Sequence, residues 1–117
     1  MILHAIGRDD WAQALAAGEV RPVSLAEQGF AHCSDFGTMR LPVNHLFAGR
    51  TDMVLLVIDP AGLPLRWEPG DPPVPDGPWF PHVYGPIPVG SVVAAHDLLP
   101  DADGRFELPS ALAGGAT

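Results

Sequence analysis

The sequence predicts a single domain of the α+β class, in which short strands and short helices alternate. Two observations predict it. The apolar run from Met53 to Ile58 is typical of a strand buried on both faces, and shorter apolar segments lie on either side of it, separated by Gly, Pro and Asp. The 117 residues are 47% hydrophobic, which is enough for one packed core. We therefore expect one domain over residues 1–109 and a flexible C-terminal tail over residues 110–117.

The first elements are expected to be a strand followed by a helix. Met1 to Ile6 has the apolar content of a buried strand. Asp9 and Asp10 offer a cap and N-terminal acids for a helix, and Gly18 marks its end.

The next part of the chain is expected to contain a short helical turn, a strand and a second full helix. Ser24 to Glu27 has the spacing of a capping box, so a helical turn should come before Gly29 and a strand over 30–33. A helix should follow over 38–48, with Pro42 in its first turn and Gly49 at its end.

Proline dominates the second half of the chain. Ten of the fourteen prolines fall between Pro60 and Pro88, which excludes a regular helix and predicts a loop enclosing one short strand near Leu65 to Glu68. Ser91 to Leu98 has strand character again. Asp101 to Gly104 predicts a turn, with Arg105 to Leu108 as the returning strand of a hairpin.

The charge balance excludes several functions. The chain has six Arg, no Lys and fourteen acidic residues, for a net charge of −8, and its arginines form no basic stripe. A nucleic acid polymer is therefore not an expected partner, although one or two arginines suffice for a small phosphate-bearing ligand. The absence of Lys excludes a Schiff-base lysine and a Walker-type phosphate lysine.

No part of the sequence predicts a membrane protein. No stretch approaches the roughly 20 apolar residues of a membrane span, and the first residues lack the pattern of a signal peptide. Cys33 is the single cysteine, so no internal disulfide forms, in agreement with a reducing compartment. We expect a cytoplasmic protein.

Three histidines, His4, His32 and His82, lie in short apolar segments that should be buried. A buried imidazole costs desolvation unless its nitrogens find partners, so three of them suggest a shared polar site. If the first strand and the 30–33 strand are neighbours, His4 and His32 share one face with ring atoms within roughly 8 Å, and Cys33 points to the other face. The alternative for each histidine is a core residue bonded to a backbone carbonyl.

The sequence also resembles a known family, the one catalogued as domain of unknown function 952, over Met1 to Pro109. The motifs that carry the resemblance are His4, Trp11, Ser24-Leu25, Gly29 to Ser34, Leu55 to Asp59, Phe80 to Ile87 and Asp103 to Phe106. Members of this family look like compact relatives of the ADP-ribosyltransferase fold, with the RNA 2′-phosphotransferase branch nearest. The resemblance implies a split antiparallel or mixed β-sheet with two or three short helices, and NAD lying across a cleft.

The resemblance also implies a set of site residues. His4 matches the first-strand histidine that binds a ribose, and His32 with Ser34 matches the motif on the nicotinamide side, so these three would be catalytic. His82 and Tyr84 would bind substrate at the rim of the cleft, carried there by the proline-rich loop. The implied function is binding of NAD or an ADP-ribose-bearing ligand, with ADP-ribosyl transfer or hydrolysis. A counterpart of the catalytic Glu is lacking, and Glu107 matches it only by rough position.

Two other functions are compatible with the residues. Three histidines are the ligand count of a catalytic zinc site, which makes a metal-binding protein an alternative, although no paired-cysteine metal motif is present. A non-catalytic interaction module is the other: the proline-rich loop would meet a protein partner through Trp67 or Trp79. The sequence does not predict the oligomeric state.

Overall fold

The described part of the chain contains three small antiparallel sheets and three short helices. The computed structural model describes residues 1–70 and 73–113. The strands are β1 (Ile2–Gly7), β2 (Glu19–Val20), β3 (Ala31–His32), β4 (Met53–Ile58), β5 (Leu65–Pro69), β6 (Trp79–Val83), β7 (Ile87–Pro88) and β8 (Val92–Leu98). The helices are α1 (Arg8–Ala17), α2 (Val23–Gln28) and α3 (Arg40–Phe47), and one 3₁₀ turn spans Val89–Ser91.

The central sheet has the order β1-β4-β8, and it divides the core into two halves. All six residues of β4 are buried, as their continuous apolar run predicts. Because successive side chains of a strand point to opposite faces, Leu56 and Ile58 pack in one half of the core, whereas Leu55 and Val57 pack in the other. The first half faces β2, β3 and β7, and the second faces α3 and Phe106.

The proline-rich segment contains more strands than the sequence predicts. The short strand near Leu65 is present as β5, but β6 and β7 lie where a loop was expected, so that expectation is wrong. The density of prolines was the reason for that expectation, because proline donates no hydrogen bond to a ladder. In the structure the β3–β6 ladder ends at the pair His32–His82, so it stops short of Pro81, the residue that precedes His82, and Pro81 is itself fully buried. Residues 71 and 72 of this segment lie outside the described residues.

The helix ends agree with the glycine signals, but not with the predicted caps. Gly18 and Gly29 take left-handed φ angles of 87° and 88° after α1 and α2, so both helices stop where the sequence indicates. Their N-cap residues are Gly7 and Pro22, neither of which makes a side-chain cap, so the Asp cap and the Ser24 capping box are wrong. Strand β1 runs directly into α1, which leaves Asp9 and its neighbour in the first turn rather than before it.

The region after β8 forms the predicted turn but not the predicted hairpin. Asp101 to Gly104 makes the turn, and the segment 105–108 contains no strand. The backbone of Phe106 is held instead by Asn44 of α3, whose amide donates to the Phe106 carbonyl (2.9 Å) and accepts from the Phe106 N–H (2.6 Å). A side chain therefore replaces the expected partner strand. Leu112, within the expected flexible tail, is buried in the core, and residues 114–117 lie outside the described part of the chain.

The architecture agrees with the α+β class and with antiparallel sheets, since every strand pairing described is antiparallel. Within the described residues, no helix has the length and apolar character needed to cross a lipid bilayer.

The Asn44 contact makes a testable prediction about stability. Replacing Asn44 by Ala leaves the N–H and C=O of Phe106, which is fully buried, without their partner. We expect the free energy of unfolding in urea to fall by about 2–6 kcal/mol, since each of the two unpaired buried groups costs about 1–3 kcal/mol. The neighbouring exposed His45, changed to Ala, serves as control and should shift stability by less than about 0.5 kcal/mol. Equal effects of the two substitutions would contradict this role of Asn44.

Candidate functional site

An isolated β-bridge joins the central sheet to the segment that follows β3 in the β3-β6-β5 sheet. The Leu3 N–H donates to the Ser34 carbonyl (2.7 Å), and the Ser34 N–H donates to the Leu3 carbonyl (2.8 Å). The first strand and the segment after β3 are therefore neighbours, although they belong to different sheets. This bridge brings His4 beside His32.

His4 is held in one tautomer by a backbone carbonyl. Its Nδ1 lies 2.6 Å from the carbonyl oxygen of His32, and an oxygen of this kind only accepts, so Nδ1 carries the proton. The side chain is buried, and this burial lowers the pKa of His4; the hydrogen bond to His32 acts in the opposite direction, and the charge of the His32 ring adds to the lowering. The ring is therefore neutral at pH 7, and Nε2 is an acceptor.

The first cleft, here called the His4 cleft, has a volume of about 550 Å³ and lies between β1, α1, α2 and α3. His4, His32 and Ser34 all line it, so the structure brings the three predicted catalytic residues to one cavity. Most of its wall is apolar, as is usual for small-molecule sites.

Two arginines line the same cleft, and each has a carboxylate partner. Arg50 binds Asp52 through two hydrogen bonds of 2.9 and 2.6 Å, which hold the pKa of the Asp52 carboxyl below its usual range. Arg21 lies 3.0 Å from Glu19. The sequence shows both arginines, but nothing in their spacing indicates that they share a cavity with His4.

His32 forms part of the boundary between this cleft and a second one. Its Nε2 lies 2.7 Å from Oε1 of Gln28, the last residue of α2. The second cleft, here called the His82 cleft, has a volume of about 450 Å³. Gln28, His32 and Cys33 line both clefts. Gln28 is a site residue that the sequence analysis missed.

His82 and Tyr84 lie in a different place from the predicted rim of the His4 cleft. His82 lines the His82 cleft, and Tyr84 is not among the lining residues of either cleft. Both bind Oε1 of Glu68 on β5: His82 through Nδ1 (2.9 Å) and Tyr84 through its hydroxyl (2.5 Å). These hydrogen bonds, first that of Tyr84 and then that of His82, lower the pKa of the Glu68 carboxyl, and the same contact raises the pKa of Tyr84.

Phe30 packs the two histidine segments together. Its ring stacks on His82 at a centroid distance of 4.1 Å and meets His32 edge-on at 4.8 Å. The rings of His32 and His82 are 5.6 Å apart, because their backbones are paired across β3 and β6. Among residues 1–70 and 73–113, however, no group of three His, Cys, Asp or Glu side chains is placed to hold a metal ion.

The remaining candidates lie away from the two clefts. Trp67 and Trp79 are about half exposed on β5 and β6, and Glu107 is exposed after the turn. None of the three lines either cleft. The interaction-module hypothesis, which depends on the tryptophans, stays a prediction.

Fold and site together define an α+β protein with a histidine-lined cleft beside an antiparallel central sheet. The sequence profile of the family described as "Protein of unknown function (DUF952)" matches residues 5–95. The chain belongs to this family.

Solved structures of CC0527 from Caulobacter crescentus, a structural genomics target, are similar to this chain. A crystal structure of CC0527 has a TM-score of 0.82 and 34% sequence identity, over 96% of this chain and 97% of that one. A crystal structure of a double mutant gives 0.84 and 32% with the same coverage, and an NMR structure gives 0.78 and 32% over 96% of each chain. No curated protein matches the sequence.

Burial of His4 predicts a pH-dependent stability. An unfolded histidine titrates near 6.5, whereas the folded pKa of His4 is lowered, so protonation favours the unfolded chain. The contribution is complete above pH 6.5 and is lost as the pH falls from 6.5 toward the lowered pKa, by up to about 1.4 kcal/mol per pH unit. His4→Asn, whose amide replaces the Nδ1 donor but does not titrate, should flatten this fall in urea unfolding between pH 6.5 and 5. Parallel pH profiles of the two proteins would contradict the prediction.

Burial also predicts an unreactive cysteine. It raises the pKa of the Cys33 thiol to about 12, so almost no thiolate is present at pH 8. We expect the folded protein to resist a thiol reagent such as iodoacetamide at pH 8, and the same protein in 6 M guanidinium to react at the rate of a free thiol. Rapid labelling of the folded protein would show that Cys33 is accessible and activated.

Proposed function

We propose that the His4 cleft binds NAD or another ADP-ribose-bearing nucleotide. The observation that carries the proposal is the fixed tautomer of His4. Its Nδ1 is bound to the His32 carbonyl, so Nε2 is the ring nitrogen left for a ligand, and burial keeps the ring neutral. A buried neutral acceptor in a cleft suits a ligand that donates a hydroxyl, as a ribose does.

The rest of the cleft fits such a ligand. Its volume of about 550 Å³ lies in the range of small-molecule sites, and the apolar wall suits a planar base. Arg21 and Arg50 are the groups that would hold a diphosphate, sharing their charge with Glu19 and Asp52. Ser34 lines the same cleft.

The resemblance to ADP-ribosyltransferases supports transfer or hydrolysis of the ADP-ribosyl group as the reaction. Bound NAD would supply that group. In this proposal His4 positions a ribose hydroxyl through Nε2, and His32, oriented by its 2.7 Å contact with Gln28, borders the reacting end of the ligand. Cys33 takes no part as a nucleophile, because its thiol stays protonated.

Calorimetry with NAD, ADP-ribose and nicotinamide tests the proposal. We expect saturable binding of NAD and ADP-ribose. His4→Asn keeps a donor for the His32 carbonyl but removes the acceptor in the cleft, so it should weaken both ligands about tenfold, the effect of about 1.4 kcal/mol. His4→Gln places an amide near the Nε2 position and should retain more of the affinity.

Two further variants show whether a loss of affinity is specific to the His4 cleft or comes from general damage to the protein. His96 lines neither cleft, so His96→Asn should bind like the wild type. Arg50→Gln should weaken ADP-ribose but leave nicotinamide, which has no phosphate, unchanged. The absence of heat and of a thermal shift at millimolar concentrations of all three ligands would exclude the proposed function.

A further inference from the structure

The His82 cleft contains a polar atom that the nucleotide proposal does not use. This cleft lies between α3 and the middle of the proline-rich segment, and its apolar wall includes Leu41, Leu46, Val74 and Phe80. Leu41, Leu46 and Val74 are 42%, 53% and 64% exposed. Large apolar side chains that stay accessible around a concave surface are typical of a ligand site.

His82 is the buried polar side chain of this wall. It is only 3% exposed, its ring stacks on Phe30, and its Nδ1 binds Glu68. Because the lowered pKa of Glu68 keeps that carboxylate ionised at pH 7, it only accepts, and Nδ1 carries the proton.

The other ring nitrogen of His82, Nε2, is the one left for a ligand. Among the described residues, no buried side-chain nitrogen or oxygen lacks a hydrogen-bond partner. His82 bonds Glu68 through Nδ1, so Nε2 is the nitrogen left to face the cleft that the residue lines. In an imidazole whose one proton is on Nδ1, Nε2 is an acceptor, and a ligand must bring a donor to it.

We propose that the His82 cleft is a second ligand site, which takes a small, largely apolar molecule whose hydroxyl donates to Nε2 of His82. Glu68 is the positioning residue, because it sets the tautomer of the ring, and the Tyr84 hydroxyl holds Glu68 in place. The volume of about 450 Å³ accommodates a phenol or a cyclic alcohol with room to spare. This site goes beyond the proposed nucleotide binding and does not depend on it.

A comparison of three probes on the wild-type protein tests this site. Phenol has the hydroxyl donor, anisole replaces it by a methyl ether, and benzoate replaces it by an anion. In NMR titrations of ¹⁵N-labelled protein, we expect phenol to bind saturably, to shift the Nε2 resonance of His82, and to bind at least about fivefold more tightly than anisole and benzoate. Equal affinity of phenol and anisole would overturn the acceptor role of Nε2. Tighter binding of benzoate would mean a charged ring, and no saturable binding would exclude the site.

Matched variants locate the site. His82→Asn retains a donor for Glu68 but removes Nε2, so its affinity for phenol should fall to that of anisole. His96→Asn is the control and should bind phenol like the wild type. His4→Asn should also leave phenol binding unchanged, which separates this site from the His4 cleft. If His82→Asn does not fold, the comparison of phenol with anisole on the wild type still decides the proposal.

Discussion

Two hydrogen bonds between Leu3 and Ser34 join the central sheet to the sheet of β3, β5 and β6, and both clefts depend on this junction. The junction places the first strand beside the segment that follows His32. Only then does the carbonyl of His32 come within 2.6 Å of His4, and only then does His32 stand between the two cavities. A junction made of backbone groups depends on few side chains, so surface residues around it are free to vary without moving the histidines.

The three histidines show how one residue type serves different purposes in one small protein. His4 donates from Nδ1 to the carbonyl of His32, and His82 donates from Nδ1 to the carboxylate of Glu68. The Nε2 atom of His32 is hydrogen-bonded to the amide oxygen of Gln28. The alternative to a functional role was that each histidine is a core residue bonded to a backbone carbonyl. This is correct for Nδ1 of His4, which binds the His32 carbonyl. It does not exclude a functional role, because an imidazole has two nitrogens, and binding one of them orients the other.

The sequence predicts the parts of this fold that local physics determines. The apolar runs of β1 and β4, the stops at Gly18 and Gly29, and the turn at Asp101 depend on neighbouring residues and are confirmed. Strand β6 was missed because its proline, Pro81, lacks the N–H that a ladder uses. Whether that N–H is needed depends on where the neighbouring strand β3 ends, which the residues of β6 do not reveal. The hairpin after the turn is absent because Asn44, 62 residues away from Phe106, binds the backbone that a strand would have paired. The His4 cleft was anticipated through its histidines, whereas the His82 cleft depends on packing between α3 and a segment distant in sequence.

The uniform composition of β4 has a consequence for how its register is specified. In most half-buried strands, a slip by one residue exposes apolar side chains, and this penalty selects the correct pairing. All six residues of β4 are apolar and buried, so a slip would only exchange the two halves of the core. The register must therefore be read from the strand ends, where the Asp52 carbonyl accepts from Arg8 (2.7 Å) and the Asp59 N–H donates to Ser91 (2.9 Å). The apolar side chains inside this strand stabilise the core, while the backbone hydrogen bonds at its two ends mark the alignment.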